Sequence, residues 1–179
     1  MECAPCLETE RLLLRPLAER DAPAVYAYSK DECVGRNAGW KPHESEAESR
    51  EILRAVFIEQ PDVFGIERRE DGALIGSIGL IGDPKRENDS VRMLGYALGL
   101  AYWGRGYMTE AGRAVLQHGF VTRGYSLISA YCYPDNDRSR RVIEKLGFVY
   151  EGRLAQCEWR YDGAVLDNLC FSLANQTKK

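Results

Sequence analysis

The chain has 179 residues, of which 45% are hydrophobic and 28% charged, a composition typical of one globular domain with a substantial core. Its net charge is −3 and it has no long basic run, so its charge does not predict nucleic-acid binding. No stretch approaches the ~20 apolar residues of a membrane helix, and the N-terminus lacks the basic and apolar regions of a signal peptide. We therefore expect a cytoplasmic protein that binds neither nucleic acid nor membranes.

Hydrophobic patterns predict about seven strands and four helices, a mixed α/β domain. In chain order, the predicted strands are 11–17, 63–69, 74–81, 93–100, 126–133, 148–161 and 165–173. The predicted helices are about 21–29, 44–59, 108–120 and 136–146, and the segment 33–41 is predicted to be a loop.

Turn and cap residues punctuate these elements. Asp-Gly pairs at 71–72 and 162–163 predict two hairpins, because this pair favours tight turns between strands. Asp21 is expected to cap the first helix and Pro42 to open the second. Gly147 is expected to follow the last helix in the left-handed conformation.

Cysteine and histidine usage does not predict a metal centre. Cys3 and Cys6 have CxxC spacing, but no second pair completes a zinc site, and a redox CxxC normally opens a helix after a strand. His43 and His118 are the only histidines, so neither a His-rich metal site nor a Ser-His-Asp triad is expected.

The stretch 94–120 combines an apolar strand, a glycine-bearing turn and a helix. Gly104 and Gly106 allow positive φ angles and a close approach of the backbone to a ligand. The first turn of the next helix has unpaired N–H groups at the positive end of its dipole. Together these features predict an anion cradle, most simply for phosphate. A turn that needs glycine for steric reasons alone stays open as the alternative.

A second candidate group lies in the helix 136–146. At ~100° per residue, Asn136 and Ser139 fall on the side that Ile143 and Leu146 bury. Buried polar groups need partners, so both residues are candidates for a ligand-facing helix end. The alternatives are that Asn136 caps the helix and that Ser139 bonds back to a backbone carbonyl.

Three segments together resemble the GNAT superfamily of acyl-CoA-dependent N-acyltransferases: LGYALGLAYWGRGYMTEA at 94–111, NDRSRRVIEKLGF at 136–148 and EGRL at 151–154. The opening ETERLLLRPL and the YWGRGYMTEA form are similar to the RimJ/RimL-type branch, the ribosomal-protein N-terminal acetyltransferases. The resemblance implies a twisted, mixed, mostly antiparallel seven-stranded sheet flanked by about four helices. Its fourth and fifth strands would splay apart around acetyl-CoA. It also implies one N-acetyltransferase domain at 8–174, between a loose tail at 1–7 and a polar tail at 175–179.

The resemblance also implies which residues bind acetyl-CoA, and it implies no metal. The backbone of Leu98, Gly99 and Leu100 would bind the pantetheine arm and polarise the acetyl carbonyl. Asn136 and Ser139 would line the thiol side. The amides of the following turn would hold the pyrophosphate: Trp103, Gly104, Arg105, Gly106, Tyr107, Met108 and Thr109.

The chain departs from the superfamily pattern at two places. In the loop pattern (Gln/Arg)-x-x-Gly-x-(Gly/Ala), only Gly106 matches, because Trp103 and Met108 fill the other two positions. Many members carry a tyrosine seven residues after the asparagine, which is thought to protonate the leaving thiolate. Ile143 stands at that position and cannot donate a proton.

The RimJ/RimL-type branch implies other catalytic residues, with Ser139 as the proton donor and Glu158 as the base. Simple alternation places Glu158 on the same strand face as Leu154 and Phe148, unless a bulge intervenes at Gly152. The alternative is a surface carboxylate paired with one of the nearby arginines, 153 or 160.

The resemblance implies that an amine attacks acetyl-CoA directly in a ternary complex. The favoured acceptor is a protein or peptide N-terminal amine. One alternative is a small amine, such as an antibiotic, a polyamine or an amino-acid derivative. Another is a non-catalytic acyl-CoA sensor, which Ile143 favours. Trp40 and the acidic helix hint at a cationic acceptor, although a solvated acidic face is the simpler interpretation. A homodimer stays open.

Overall fold

A computed structural model describes residues 5–58 and 60–176, in which five helices flank one open eight-stranded sheet. The helices are α1 (Ala22–Ser29), α2 (Glu32–Ala38), α3 (Glu46–Ile52), α4 (Tyr107–Gln117) and α5 (Asp137–Lys145). The strands are β1 (Leu7–Glu8), β2 (Leu12–Arg15), β3 (Val63–Arg68), β4 (Leu74–Gly82), β5 (Val91–Leu98), β6 (Leu127–Cys132), β7 (Val149–Trp159) and β8 (Val165–Ala174).

The mixed α/β class is confirmed, but the element counts were wrong by one strand and one helix. The additional strand is the two-residue β1, whose Leu7 pairs with Leu14 and which is too short to show a hydrophobic period. The additional helix is α2, which lies in the segment predicted as a loop. Asp31 caps it by accepting a hydrogen bond of 2.8 Å from the N–H of Cys33, and Gly39 ends it with φ 84°. These contacts stabilise a helix whose own glycine and asparagine are poor helix formers.

Both predicted hairpins and the end of the last helix are confirmed. β3 and β4 pair antiparallel across 71–72, as do β7 and β8 across 162–163. Gly147 has φ 89° directly after the α5 cap. Its N–H donates to the carbonyl of Glu144 at 3.0 Å, and the N–H of Phe148 donates to Ile143 at 3.3 Å. This is the hydrogen-bond pattern of a glycine-terminated helix.

The first helix begins directly after Asp21 as predicted, but the capping role of Asp21 and the start of the second helix at Pro42 were wrong. Asp21 makes no capping hydrogen bond and is buried instead. α3 begins after Ser45 rather than at Pro42, because the Ser45 hydroxyl accepts a hydrogen bond of 3.1 Å from the N–H of Glu48. A serine with a free hydroxyl satisfies an exposed helix donor, which proline cannot do.

Asp21 forms a buried ion pair that should make stability depend on pH. Arg15 donates hydrogen bonds of 2.8 and 2.9 Å to its carboxylate, and the N–H of Ala18 donates one of 2.9 Å. Burial alone would raise the pKa of Asp21, but the hydrogen bonds from Arg15 and Ala18 outweigh burial and lower it. A lowered folded-state pKa contributes stability above the unfolded value of about 3.9, and this stability is lost as the pH falls through the folded value.

We therefore expect Asp21→Asn to lower the free energy of unfolding by about 2 kcal/mol at pH 7. The difference from wild type should begin to shrink below about pH 4, where the unfolded carboxyl becomes protonated, and should shrink further as the pH falls through the lowered folded pKa. Urea unfolding of both proteins at pH 7 and pH 3 measures this effect. An equal difference at the two pH values would contradict the expectation.

The sheet is open between β5 and β6. These strands form the sole parallel pair among the described strands, and their pairing covers only Val91↔Leu127, Arg92↔Ile128 and Met93↔Ser129. Beyond this point β5 stays paired with β4, and β6 stays paired with β8. The predicted splay of two central strands is thus confirmed, and the gap widens toward their C-terminal ends.

Two packed clusters lie on opposite faces of the sheet. Leu94 and Leu98 of β5 join the main cluster, which includes Met108 of α4 and Ile143 of α5. Ala97 joins a second cluster with residues of α1 and α2. Because successive strand side chains point to opposite faces, even-numbered β5 residues face α4 and α5, and odd-numbered ones face α1 and α2.

Three further expectations concern the domain limits, the Cys3–Cys6 pair and membrane-spanning helices. The domain limits at 8–174, with tails at 1–7 and 175–179, stay a prediction. The Cys3–Cys6 pair lies partly outside the described residues, since these begin at residue 5. Within the described ranges, every helix is too short or too polar to cross a bilayer.

Candidate active site

The gap between β5 and β6 opens into a cavity of about 710 Å³, a size typical of cofactor and substrate sites. Most of the residues expected at the site line it: Leu98, Trp103, Gly104, Gly106, Tyr107, Met108, Thr109, Asn136, Ser139 and Glu158. The cavity lining does not include Gly99, Leu100 and Arg105. In the part of the chain that the structure describes, no group of three or more His, Cys, Asp or Glu residues could hold a metal ion.

The turn between β5 and α4 is a donor-rich end of this cavity. Gly104 and Gly106 have φ angles of 74° and 81°, so the backbone conformation favours glycine at both positions. The N–H of Glu110 donates to the carbonyl of Gly106 at 3.0 Å, the first helical hydrogen bond of α4. The N–H groups of residues 107–109 precede this bond and lie at the positive end of the helix dipole. This arrangement fits the diphosphate of coenzyme A.

Basic side chains of α5 line the cavity, and one of them lies against the turn. Arg138, Arg141 and Lys145 line the cavity wall, and the Arg138 guanidinium lies 5.1 Å from the centre of the Trp103 ring. Arg105 supports the turn from outside the cavity, since its carbonyl accepts a hydrogen bond of 3.1 Å from Arg11. The positive charges of α5 add to the fit for an anionic cofactor.

The backbone of β5 offers fewer free groups than expected. The N–H of Gly99 donates to the carbonyl of Ile75 in β4 at 2.8 Å, so this donor is already used. Antiparallel alternation from that bond directs other peptide groups into the gap, those of Leu94, Tyr96 and Leu98. The Leu98 carbonyl accepts a hydrogen bond of 2.7 Å from the Trp103 indole. The N–H of Leu98 is therefore the donor that faces the gap closest to the turn.

At the start of α5, Ser139 is held in a polar cluster. The Asn136 side chain accepts a hydrogen bond of 3.1 Å from the N–H of Ser139, so the cap interpretation of Asn136 is confirmed. The Ser139 hydroxyl lies 2.7 Å from the hydroxyl of Tyr96. Burial raises the pKa of Tyr96, so this phenol stays protonated at neutral pH.

Glu158 lies in the cavity wall and not in a surface ion pair. Its Oε1 accepts a hydrogen bond of 2.5 Å from the hydroxyl of Tyr133, and its Oε2 accepts one of 3.0 Å from the amide of Asn168. Arg153 and Arg160 pair with other carboxylates, so the alternative of a surface pair with either arginine was wrong. Burial raises the pKa of Tyr133 and the hydrogen bond to Glu158 adds to the shift, which keeps the phenol a donor.

Bulges in β7, rather than simple alternation, decide where Glu158 points. The register against β8 shifts between Tyr150 and Gly152 and again between Leu154 and Glu158. Leu154 is 43% exposed while Phe148 is buried, so alternation wrongly placed these residues on one face. The first bulge adds one residue to β7 and the second adds two, and both change the direction of the strand. In the sequence only Gly152 indicates a bulge.

Sequence reasoning missed three polar residues of the cavity, Tyr96, Tyr133 and Asn168. Tyr96 alternates with Leu94 and Leu98, which predicts an inward side chain. Asn168 is a polar residue within an apolar strand, which is a sign of a buried polar partner. Tyr133 carried no readable signal, since it follows the last residue of β6.

Splayed parallel strands beside a donor-rich strand–turn–helix define the fold and binding site of an acyl-CoA-dependent acyltransferase. A family model described as "Acetyltransferase (GNAT) domain" matches residues 11–149. The chain is 32% identical to "Uncharacterized N-acetyltransferase YoaA" of Bacillus subtilis (strain 168), over 94% of this chain and 96% of that protein. The chain therefore belongs to the GNAT acetyltransferase family and is an N-acetyltransferase, a class that typically uses acetyl-CoA.

Solved structures agree on the fold. A GNAT-family acetyltransferase from Bacillus anthracis has a TM-score of 0.84 at 24% identity, covering 96% of this chain and 99% of that chain. A ribosomal-protein-S5-alanine acetyltransferase from Vibrio fischeri has a TM-score of 0.76 at 24% identity, covering 98% and 99%. At this level of identity the likeness shows the fold alone, so it does not assign the chain to the RimJ/RimL branch.

Gly39, at the end of α2, lies directly against the Tyr133–Glu158 pair. A Cβ at Gly39 would lie 2.7 Å from the Tyr133 hydroxyl and 3.2 Å from Oε1 of Glu158. We expect Gly39→Ala to displace this pair and to lower kcat/KM for acetyl transfer by about 10- to 100-fold. The positive φ of 84° adds about 1–2 kcal/mol of backbone strain.

Gly163→Ala is the matched control for this prediction. Gly163 has φ 83° and no neighbouring atom within 4 Å of an added Cβ, so it shares the strain without the contact. Steady-state kinetics and thermal unfolding of both variants separate the two effects. Equal activity of the Gly39 and Gly163 variants would contradict the prediction.

Proposed function

We propose that this enzyme transfers the acetyl group of acetyl-CoA to a primary amine by direct attack in a ternary complex. We further propose that the amine is the N-terminus of a protein or peptide. One observation carries the catalytic part of the proposal: two hydrogen-bonded pairs, Ser139–Tyr96 and Glu158–Tyr133, line the same cavity. The peptide acceptor is supported by the sequence similarity of the opening segment and the turn to the RimJ/RimL-type branch.

In this proposal Glu158 is the base. An aliphatic amine is mostly protonated near neutral pH, so it must lose a proton before it attacks the thioester carbonyl. Each carboxylate oxygen has two lone pairs, and Tyr133 and Asn168 occupy one on each oxygen. The remaining lone pairs can accept the proton of the ammonium group, directly or through a water molecule.

Ser139 is the proposed proton donor to the leaving thiolate. Ile143, at the position of the tyrosine that many family members carry, is fully buried and has no proton to give. As the carbon–sulfur bond breaks, Ser139 would pass its hydroxyl proton to sulfur and receive one from Tyr96. Solvent would then return a proton to Tyr96.

The turn and β5 would bind the cofactor. We assign the amides of 104–109 to the diphosphate, because the expected donor Trp103 N–H is already bonded to the carbonyl of Leu100 at 3.2 Å. We assign the N–H of Leu98 to the acetyl carbonyl, where it would stabilise developing negative charge. Much of the acceleration should come from holding the amine and the thioester together, because effective molarities of oriented reactants are large.

A small amine is the second candidate acceptor. α2 packs close to the Glu158 side of the cavity, where this proposal places the acceptor. The Asn136 amide donates to the carbonyl of Asn37 at 3.3 Å, and Gly39 lies against Tyr133. A narrow approach favours a compact acceptor over a folded protein surface. The cytoplasmic location and the homodimer remain expectations of the sequence.

Thiol release from acetyl-CoA, followed with a panel of amines, tests the proposal. The panel should contain peptides with free and with blocked N-termini, polyamines, amino-acid derivatives and an aminoglycoside. Preferred turnover of free peptide N-termini supports the proposal, and turnover of small amines alone supports the second candidate. Binding of acetyl-CoA without turnover of any amine would identify a sensor. Failure of calorimetry to detect acetyl-CoA or coenzyme A binding would overturn the cofactor assignment.

A further inference from the structure

We propose that Lys85 forms an anion-binding subsite in the acceptor part of the cavity, so that the acceptor amine carries a carboxylate a few bonds from its nitrogen. The inference deepens the proposed function and rests on it, because it takes Glu158 as the end where the amine reacts. Lys85 follows β4 in the connection to β5, and it lines the same cavity as Glu158.

Two tyrosines place Lys85 and Glu158 along one wall. Tyr131 and Tyr133 are two residues apart at the end of β6, so they lie on the same face, about 7 Å apart along the chain. The intervening positions face the main core, as shown by the buried residues Ile128, Ala130 and Cys132. Tyr133 donates to Glu158, and the ammonium of Lys85 lies 4.3 Å from the centre of the Tyr131 ring. The Glu158 carboxylate thus contacts Tyr133, and the Lys85 ammonium contacts Tyr131, two residues before it.

The Lys85 ammonium has no carboxylate partner among the residues that the structure describes. Asp83, which lies in the same connection, and Glu151, which pairs with the adjacent Arg86, are already engaged. Asp83 accepts from Ser129 and Tyr131 and lies 3.4 Å from Arg86. Glu151 accepts from Arg86 and Ser172. An unpaired ammonium at a cavity wall can bind an incoming anion without first breaking an ion pair.

The backbone holds Lys85 in this position. Its N–H donates to the Asp83 carboxylate at 2.8 Å, and the Asp83 side chain is fully buried. The other basic residues of the cavity lining within the described ranges are Arg138, Arg141 and Lys145. All three belong to α5, and Arg138 lies over Trp103 in the turn assigned to the cofactor diphosphate. An anion on the acceptor face would therefore meet Lys85.

This spacing identifies a class of acceptor. The backbone positions of Tyr131 and Tyr133 are about 7 Å apart, so a small acceptor whose amine lies at Glu158 can place a nearby carboxylate toward Lys85. Free amino acids with acidic side chains and peptides that begin with Asp or Glu share this chemistry. The cation–π contact between the Lys85 ammonium and the Tyr131 ring also restricts the Lys85 side chain. This restriction lowers the entropic cost of binding the carboxylate.

Acetyl transfer to matched amines tests the inference. We would compare a peptide that begins with Glu to the same peptide beginning with Gln. For the free amino acids we would compare the α-amides of glutamate and glutamine, so that only the side-chain charge differs within each pair. The wild-type enzyme should show a kcat/KM at least about tenfold higher for the acidic member, as expected for a hydrogen bond to a charged group. Lys85→Gln should reduce this preference to about one, and Lys85→Glu should reverse it.

Lys30→Gln is the matched control, because Lys30 also lies over a tyrosine, 5.2 Å from the Tyr26 ring, but outside the cavity. The preference of the Lys30→Gln variant for acidic over neutral acceptors should equal that of wild type. Thermal unfolding verifies that all variants fold. A preference confined to the peptides or to the free amino acids supports the subsite and identifies the source of the carboxylate. Equal turnover of both members of each pair would overturn this inference alone. No turnover of any amine would overturn the proposed function as well.

Discussion

Replacing Glu158 by glutamine is expected to lower kcat for acetyl transfer by about 10²- to 10⁴-fold while leaving acetyl-CoA binding unchanged. Glutamine has the shape of glutamate and can still accept from Tyr133, but it cannot take a proton from the attacking ammonium. Because the loss is in proton removal, raising the pH should partly restore the rate by supplying more neutral amine. Kinetics from pH 6 to 10 and calorimetry with acetyl-CoA measure the two effects separately.

Glu144→Gln is the control for the Glu158 variant. Glu144 lies on the surface of α5, half exposed and paired with Arg140, so its loss should leave kcat unchanged. Ser139→Ala should lower kcat less than Glu158→Gln. A thiolate is a good leaving group even without protonation, whereas a protonated amine cannot attack until its proton is removed. Wild-type turnover in both Glu158→Gln and Ser139→Ala would show that the catalytic assignment is wrong.

Asp62→Ala is expected to cause a large loss of stability, about 3–5 kcal/mol in the free energy of unfolding. The Asp62 carboxylate is 3% exposed and accepts hydrogen bonds from His118, Tyr125 and Arg123 at 2.8, 2.6 and 3.1 Å. Removing it leaves the buried donors of His118 and Tyr125 without their acceptor, and each unsatisfied donor costs its desolvation energy. The melting temperature should fall by about 10 °C or more.

Arg123→Ala separates the buried part of this network from its exposed part. The Arg123 side chain is 38% exposed, so its bond to Asp62 is screened by water and should contribute about 1 kcal/mol or less. Urea unfolding of both variants measures the difference. A loss in Asp62→Ala as small as that in Arg123→Ala would contradict the prediction. The network joins β3 to the end of α4, so it also anchors the helix that begins at the cofactor turn.

Features with local causes were predictable from the sequence. The strand, turn and helix at 94–120, both Asp-Gly hairpins and the glycine after α5 each depend on a few neighbouring residues and their φ angles. The pairing of this segment with NDRSRRVIEKLGF was also enough to predict the family, which the family model confirms. Asn136 and Ser139 could be placed at a helix N-terminus, because helical spacing alone sets their face.

Elements with weak local signals needed the tertiary structure. β1 and α2 are short, and their contacts lie outside themselves: β1 pairs with β2, and the distant Asn136 amide donates a hydrogen bond to the carbonyl of Asn37 in α2. Asp21 looks like a helix cap in the sequence, yet Arg15 draws its carboxylate into a buried ion pair. Partners that precede the helix, Arg15 and the N–H of Ala18, decided its role, and helix propensity could not reveal them.

The sequence by itself determined the strand–turn–helix that offers backbone donors to an anion, because glycine positions and hydrophobic period are local properties. Only the tertiary structure decided which side chains surround the acceptor. Tyr133 and Glu158 are 25 residues apart, and the bulges in β7 set their contact. Lys85, in the connection between β4 and β5, lies over the ring of Tyr131 in β6. Such contacts depend on strand register and on where each strand bends, and a one-residue change in register moves every following side chain to the opposite face.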